Sequence, residues 1–540
     1  LLWKSLLATA AIFALLQAWR PYFFLTDDNL TAGFPFLSEV GRHLLHGESP
    51  FFTDHLFGCH YNLLRDPTFF AWHPFCFLAA LLTATPLRFF AIDLLALFSL
   101  LISVSGFVML ADHLRRERGL PLGDGRILFL ALSLNFSLYL LTIGSSWAGF
   151  LTNNSVLPWL VLGLLLRSAR AGIGLVTLFT LHEILGGHPE PTISNGLMLS
   201  LLALGLAVDR RTARPLLVWA AGNLLALLIV SPLLAPALEG FLHTTRSAGL
   251  DPARIGEYRI SFWIMLFSML AGTLSGMLAP HSFTSPDVFA YSFYLAFAAA
   301  WYLLLVLLSR ERWTALPALC LGLMGLLLLL IGRPHWVDHI LARLPLLRSM
   351  RWPFREILQF NFFAHLLMVL RTPAGSRQLQ RACLLFGSAI FIVPFFFSMR
   401  PTINPMEIDR AYLLSGHADA YWAKVRPLFQ PGDRYVVIED FRMCAHSRIG
   451  VPNILLGSYD YPLLFELPSD SGYSPTAPLD QVALKTFPFW LAGVYTPDSV
   501  PALQREVPDL KFITLVSITP LKVELSSAHG PTIDLTPFAR

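Results

Sequence analysis

Long apolar blocks constrain this chain more than any other feature. "SLLATAAIFALLQAW" (5–19), "IDLLALFSLLISVSGFVML" (92–110), "VFAYSFYLAFAAAWYLLLVLL" (288–308) and "LPALCLGLMGLLLLLIG" (316–332) reach or approach the roughly 20 residues that cross a bilayer. Only 14% of the 540 residues are charged and the mean hydropathy is +0.59. A soluble domain carries about a quarter charged residues. The class is therefore a polytopic α-helical membrane protein. The first block lacks a clear small-x-small cleavage site, and many more apolar blocks follow it, so it is expected to be a retained first helix.

Arginines set the expected topology. They cluster in 111–126, 167–170, 209–214, 309–312 and 371–381, which together with Lys4 are expected on the cytoplasmic side. Alternation then works if "PTFFAWHPFCFLAALL" (67–82) is interfacial or re-entrant, and about eleven spans result. Two of them, near 155–166 and 173–187, are short. The outer side receives a large first loop (20–85), 144–155, 186–196, 237–287, 332–356 and everything after Arg400. Loops of this length are functional or form domains of their own.

The organisation expected is a transmembrane domain over 1–400 and a soluble extracytoplasmic α/β or β-rich domain over 401–540. In the latter, "PGDRYVVIEDF", "LKFITLVSI" and "LKVELSS" read as strands between turn residues. That segment holds eleven Lys+Arg and fifteen Asp+Glu, a net of 11 − 15 = −4. Its acidity argues against nucleic acid, or an anionic membrane surface, as its partner. No P-loop or Rossmann glycine pattern is present. The five cysteines have no close or metal-like spacing, although Cys59 and Cys444 could share an oxidising compartment and a bridge.

Three polar constellations interrupt this apolar background. Asp27 and Asp28 sit where the chain leaves its first apolar block. Asp28 could cap a helix, the pair could hold a divalent cation, or one carboxylate could act as general base toward an acceptor hydroxyl. In "LHEILGGHPEPT" the two histidines, His182 and His188, are six apart rather than four, which excludes the zinc-protease pattern. The helix is expected to end at Gly186–Gly187 and present His188 and Glu190 in a loop stiffened by Pro189 and Pro191. His182 and Glu183 fall in or near the membrane, where ionisable groups either pair locally or serve a function. Arg348, Arg351, Trp352 and Arg355 precede a late span in "LRSMRWPFR". These arginines are either simply solvated or grip phosphate through bidentate guanidinium forks.

The first loop carries Asp28, Pro35-Phe36, Gly47, Pro50, Gly58, Asp66-Pro67 and His73-Pro74 in order, followed by "GGHPEPT" and "RSMRWPFR". Over roughly residues 1–400 this order resembles the YfhO family of bacterial membrane proteins, which is similar to the GT-C glycosyltransferases. Two positions depart from the family pattern: Gly58-Cys59 stands for a double glycine, and His73 for a tyrosine. The resemblance implies an enzyme of the bacterial inner membrane that uses a polyprenyl-phosphate sugar donor and an envelope glycan, lipid or polymer acceptor. In that reading Asp28 is the base with Asp27 beside it, Arg351 and Arg355 face the lipid phosphate, and His188 and Glu190 line the site. No cofactor is required and a divalent cation is optional. The rival classes are a flippase or transporter of a lipid-linked glycan, with the arginines and His182/Glu183 lining a pathway, and a scaffold whose outer domain binds a partner.

Overall fold

The computed structural model describes residues 1–56, 61–63, 73–242, 300–332, 334–344, 353–371, 378, 407–430, 433–438, 453–456, 461–467, 500–506, 508–518 and 521–539. Arg348, Arg351, Trp352, Cys59, Cys444 and the Gly58 and Asp66-Pro67 motif positions lie outside them, as do 67–72 of the expected interfacial segment.

Helix α1 (Leu2–Trp19) is followed by a π-helical turn (Asn29–Gly33), α2 (Phe34–His46), a short antiparallel pair β1 (Phe52–Thr53) and β2 (Tyr61–Asn62), and α3 (Pro74–Thr83). Next come α4 (Ala91–Arg118), α5 (Asp124–Asn135), α6 (Leu138–Ser146), α7 (Gly149–Leu165), α8 (Ala169–Gly186), α9 (Pro189–Asp209) and α10 (Arg214–Leu242). Then follow α11 (Ala300–Leu307), α12 (Ala315–Gly332), α13 (His335–Leu341) and α14 (Ile357–Leu370). Among the described residues six helical segments are long and apolar enough to cross a bilayer: Leu2–Trp19, Arg88–Arg118, Asp124–Ser146, Pro189–Asp209, Arg214–Glu239 and Ala315–Gly332. This is fewer than the eleven or so expected, for three reasons. Parts of the apolar sequence fall outside the described residues, α7 and α14 are short, and α8, although 18 residues long, is not among the helices apolar enough to count. The ten residues of α3 span about 15 Å, half a hydrocarbon core.

Packing divides the chain into two compact units. The first consists of Leu1–Phe23, Leu95–Pro232 and the described part of Gly249–Ile403. Its centre is made by the two short helices: all of α14, and all of α7 except Trp159, are buried. Helices that are apolar all round belong in an interior, and here α7 packs on α6, α8, α9 and α14 while α14 packs on α5, α11 and α12. The α7–α8 crossing is close because Gly163 faces Gly172, where an added Cβ would meet the Gly163 carbonyl oxygen at 2.6 Å. By contrast α10 exposes Leu217, Leu224, Leu228 and Ile229, a face suited to hydrocarbon.

The arginine-rich connections lie together within this unit. Arg167 pairs with Glu117 at 3.2 Å, and Arg214 donates to the Leu166 carbonyl. Arg126 donates to the Arg371 carbonyl at 2.8 Å, and Arg371 donates to the carbonyls of Ser309 and Glu311 at 3.0 and 2.9 Å. The guanidiniums thereby satisfy carbonyls that helix ends leave without partners.

The second unit consists of Phe24–Leu94, Leu233–Ala248 and Asn404–Arg540. It unites the first loop with the C-terminal segment: Arg42 pairs with Glu466 at 3.1 Å and Arg88 with Asp419 at 2.7 Å. Helices α2 and α3 approach closely at Gly41, where any Cβ would overlap the Ala80 carbonyl. The three strand-like runs form β3 (Arg434–Ile438), β4 (Leu510–Ile518) and β5 (Leu521–Ser527), joined by β6 (Gly530–Asp534), in the order β3-β4-β5-β6. The β3–β4 pair is parallel, with Val436 opposite Phe512, and the others are antiparallel. Phe512, Ile513, Leu515, Val523 and Leu525 are buried.

Candidate functional site

The two aspartates belong to the second unit and occupy an unusual stretch of backbone. Phe23 to Thr26 are wholly buried and Asp27 is 3% exposed. Asp27 adopts φ 48°, a left-handed conformation that costs an ordinary residue about 1–2 kcal/mol and that aspartate tolerates better than most. A helical turn opens there, with Leu30 N–H donating to Thr26 O at 3.2 Å, and continues as the π-helical turn Asn29–Gly33. Asp28 makes no side-chain capping hydrogen bond to that turn, so the simple capping role weighed from sequence is absent. Strained residues and π turns concentrate at functional sites. The segment is tied down at Phe24, whose N–H donates to Asp93 Oδ1 at 3.2 Å and whose carbonyl accepts from Asn29 Nδ2 at 3.0 Å.

In the first unit, residues from the two other constellations meet. Arg355 Nη1 forms a buried ion pair with Glu190 Oε2 across 165 positions of sequence. The guanidinium lies over Trp147 and Phe150, 5.2 Å from each ring centroid, and the His188 ring packs on Phe150 at 5.0 Å. Stacking and pairing fix the guanidinium plane. Any anion drawn to Arg355 would share it with Glu190.

The loop expected around His188 and Glu190 is shorter than sequence suggested. Only Gly187 and His188 separate α8 from α9, so Glu190 lies in the first turn of α9 and is buried. Proline is well placed at the start of a helix, where its missing N–H would have had no partner; Pro189 and Pro191 thus begin α9 rather than stiffen a loop. The Glu190 carboxylate is favoured there by the positive end of the helix dipole.

Beneath this pair runs a buried amide network that the sequence reading missed. Glu183 Oε1 accepts from Asn153 Nδ2 at 3.0 Å and from Asn195 Nδ2 at 2.6 Å, and Asn195 Oδ1 accepts from Gln359 Nε2 at 2.7 Å. Asn153 also donates to Thr192 Oγ1 at 3.0 Å and accepts from the His188 N–H at 2.8 Å. Ser194 donates to Glu356. His182, on the same helix as Glu183, approaches Ser155 Oγ at 3.3 Å through Nε2. Amides within otherwise apolar helices were the available signal: Asn153, Asn195 and Gln359 each interrupt such a run.

The second unit holds another unforeseen cluster around Glu39, which is fully buried on α2. Its carboxylate accepts from Thr53 Oγ1 at 2.6 Å, faces His55 Nδ1 at 2.9 Å and His43 Nε2 at 3.3 Å, and pairs with Arg42. Burial, aided by the Arg42 charge, pushes His55 down to about 4. Burial alone pushes His73 down to about 4; its Nδ1 accepts the Phe75 N–H at 3.1 Å and caps α3. For Glu466 burial acts upward, but the Arg42 and Arg426 charges outweigh it and hold the carboxyl below its ordinary value.

Among the described residues no three His, Cys, Asp or Glu side chains are grouped to hold a metal ion. Comparison of the chain with protein-family models, curated proteins and solved structures yields no match.

Proposed function

We propose that this chain is a membrane glycosyltransferase of GT-C type. It moves a sugar from a polyprenyl-phosphate donor to a glycan, lipid or polymer of the bacterial envelope, on the outer face of the inner membrane. The observation that carries the reading is Asp27–Asp28, a carboxylate pair at the entry to a buried π-helical turn, with Asp27 in left-handed backbone, directly after the first membrane-length helix. In the reaction one of the two carboxylates takes the proton of the acceptor hydroxyl as that oxygen bonds to the anomeric carbon. The bond from the anomeric carbon to the phosphate oxygen breaks, and the lipid phosphate departs with its electron pair. Charge grows on that phosphate in the transition state, so cationic groups beside it accelerate the step rather than merely bind donor.

The test is transfer of label from polyprenyl-phosphate glucose or mannose to a bacterial membrane-lipid extract, by purified protein and by its Asp27→Asn and Asp28→Asn variants. General-base catalysis contributes about 10²–10⁴-fold, so one of the variants is expected to lose that much of kcat. Wild-type rates in both variants refute the mechanism. Passage of a lipid-linked glycan across liposomes containing only this protein, without transfer, establishes the transport alternative instead.

A further inference from the structure

We infer that Asp93 is a positioning residue for the Asp27–Asp28 carboxylates, an inference that rests on the transferase reading above. Asp93 lies in the first turn of α4 and is 1% exposed. It has no obvious sequence signal, being a single acid at the head of an apolar block. Its Oδ1 takes the buried N–H of Phe24, while the carbonyl of the same residue takes Asn29 Nδ2. Phe24 is thereby clamped from both sides, by α4 through its N–H and by the first residue of the π turn through its oxygen. The four residues between these anchors, Leu25 to Asp28, include both candidate bases and the left-handed backbone at Asp27.

A second contact braces the far end of this turn against the start of α4 and the 3-10 turn (Arg88–Phe90) just before it. A Cβ built on Gly33 would stand 3.6 Å from the Ile92 side chain, and the Phe34 ring lies 5.9 Å from that of Phe89. Left to itself a left-handed aspartate relaxes to a lower-energy conformation, so a strained turn needs surroundings that over-determine it. A carboxylate suits the purpose: its hydrogen bond to a backbone N–H is charge-assisted, and the N-terminal end of α4 favours its negative charge. Asp93 therefore acts on the reaction through the turn, without itself exchanging a proton with substrate. A displacement of about 1 Å at a catalytic group costs about 10²-fold in rate.

The experiment compares wild type, Asp93→Ala and Asp93→Asn in the full chain, using the same labelled polyprenyl-phosphate sugars and amide hydrogen exchange over residues 24–33. Asp93→Ala is expected to lower kcat by about 30–100-fold with KM for donor little changed, and to speed exchange at Phe24. Asp93→Asn keeps the acceptor oxygen and restores most of kcat, with the acid limb of the pH–rate profile unmoved. Unchanged kcat in Asp93→Ala overturns the inference, even if exchange rises. Loss of the acid limb in Asp93→Asn also overturns it, by making Asp93 the base. If wild type transfers no sugar while exchange still rises in Asp93→Ala, the transferase reading is what fails, and Asp93 is reduced to a structural tie. Should Asp93→Ala not fold, Asp93→Asn against Asp93→Leu carries the same comparison.

Discussion

Glu190 and Arg355 form one ion pair although one begins α9 and the other precedes α14, and both side chains are less than a tenth exposed. Removing one partner leaves the other as an uncompensated buried charge, which costs about 3–5 kcal/mol. Glu190→Leu and Arg355→Met are each expected to lower thermal stability in detergent strongly. The double variant Glu190→Leu/Arg355→Met should be more stable than either single one. Additive losses in that cycle would show that the two groups do not depend on each other.

Glu183 Oε1 takes both the Asn153 and Asn195 amides. Hydrogen bonds between membrane helices are worth about 0.6–2 kcal/mol, so each single alanine variant should lose at least that much, Asn153→Ala more because it also gives up its bonds to Thr192 and His188. Because the acceptor atom is shared, the double variant should differ from the sum of the single losses. Denaturation in mixed micelles measures the three values, and strict additivity would contradict the network.

Acid should destabilise the second unit over a defined window. His55 and His73 each ordinarily titrate near 6.5 and are pushed down to about 4 by burial. Between those values the unfolded chain binds protons that the folded one refuses, so stability rises with pH across the window and is lost on descent from 6.5 to 4. Protonation also takes the His73 lone pair from the Phe75 N–H. Glu466, held below its ordinary 4.5, keeps its contribution down to about that pH and loses it progressively below. Thermal midpoints at several pH values should fall steeply in wild type and less in His55→Gln/His73→Asn. An equal slope in both proteins would remove the two imidazoles as the cause.

Gly41→Ala places a methyl group against the Ala80 carbonyl. Overpacking of this kind costs about 1–3 kcal/mol, read as a lowered thermal midpoint. Gly322 has open space around it, and Gly322→Ala provides the control, with a midpoint at or above that of wild type.

The sequence made membrane helices and C-terminal strands visible because both depend on local pattern: unbroken apolar runs in one case, β-branched runs between turns in the other. It also showed which polar residues stood out, and Glu190 and Arg355 do meet. It could not show that they meet each other rather than a ligand, because a pairing across 165 positions is set by packing and leaves no local trace. The π turn and the left-handed Asp27 were hidden for a related reason: no glycine marks the position, and the contact that ties down Phe24 comes from Asp93, 69 positions away. Pro189 and Pro191 misled in the opposite way, since proline signals a loop inside a helix pattern but a beginning at its edge.

Residues 24–94 and 404–540 share one compact unit although more than three hundred positions separate them. A ribosome adding about 5–20 residues per second needs roughly 15–60 seconds to make the intervening chain. The first loop, with Arg42 and Arg88 already synthesised, must wait that long for Glu466 and Asp419 to emerge. Its maturation is thus timed by the end of translation.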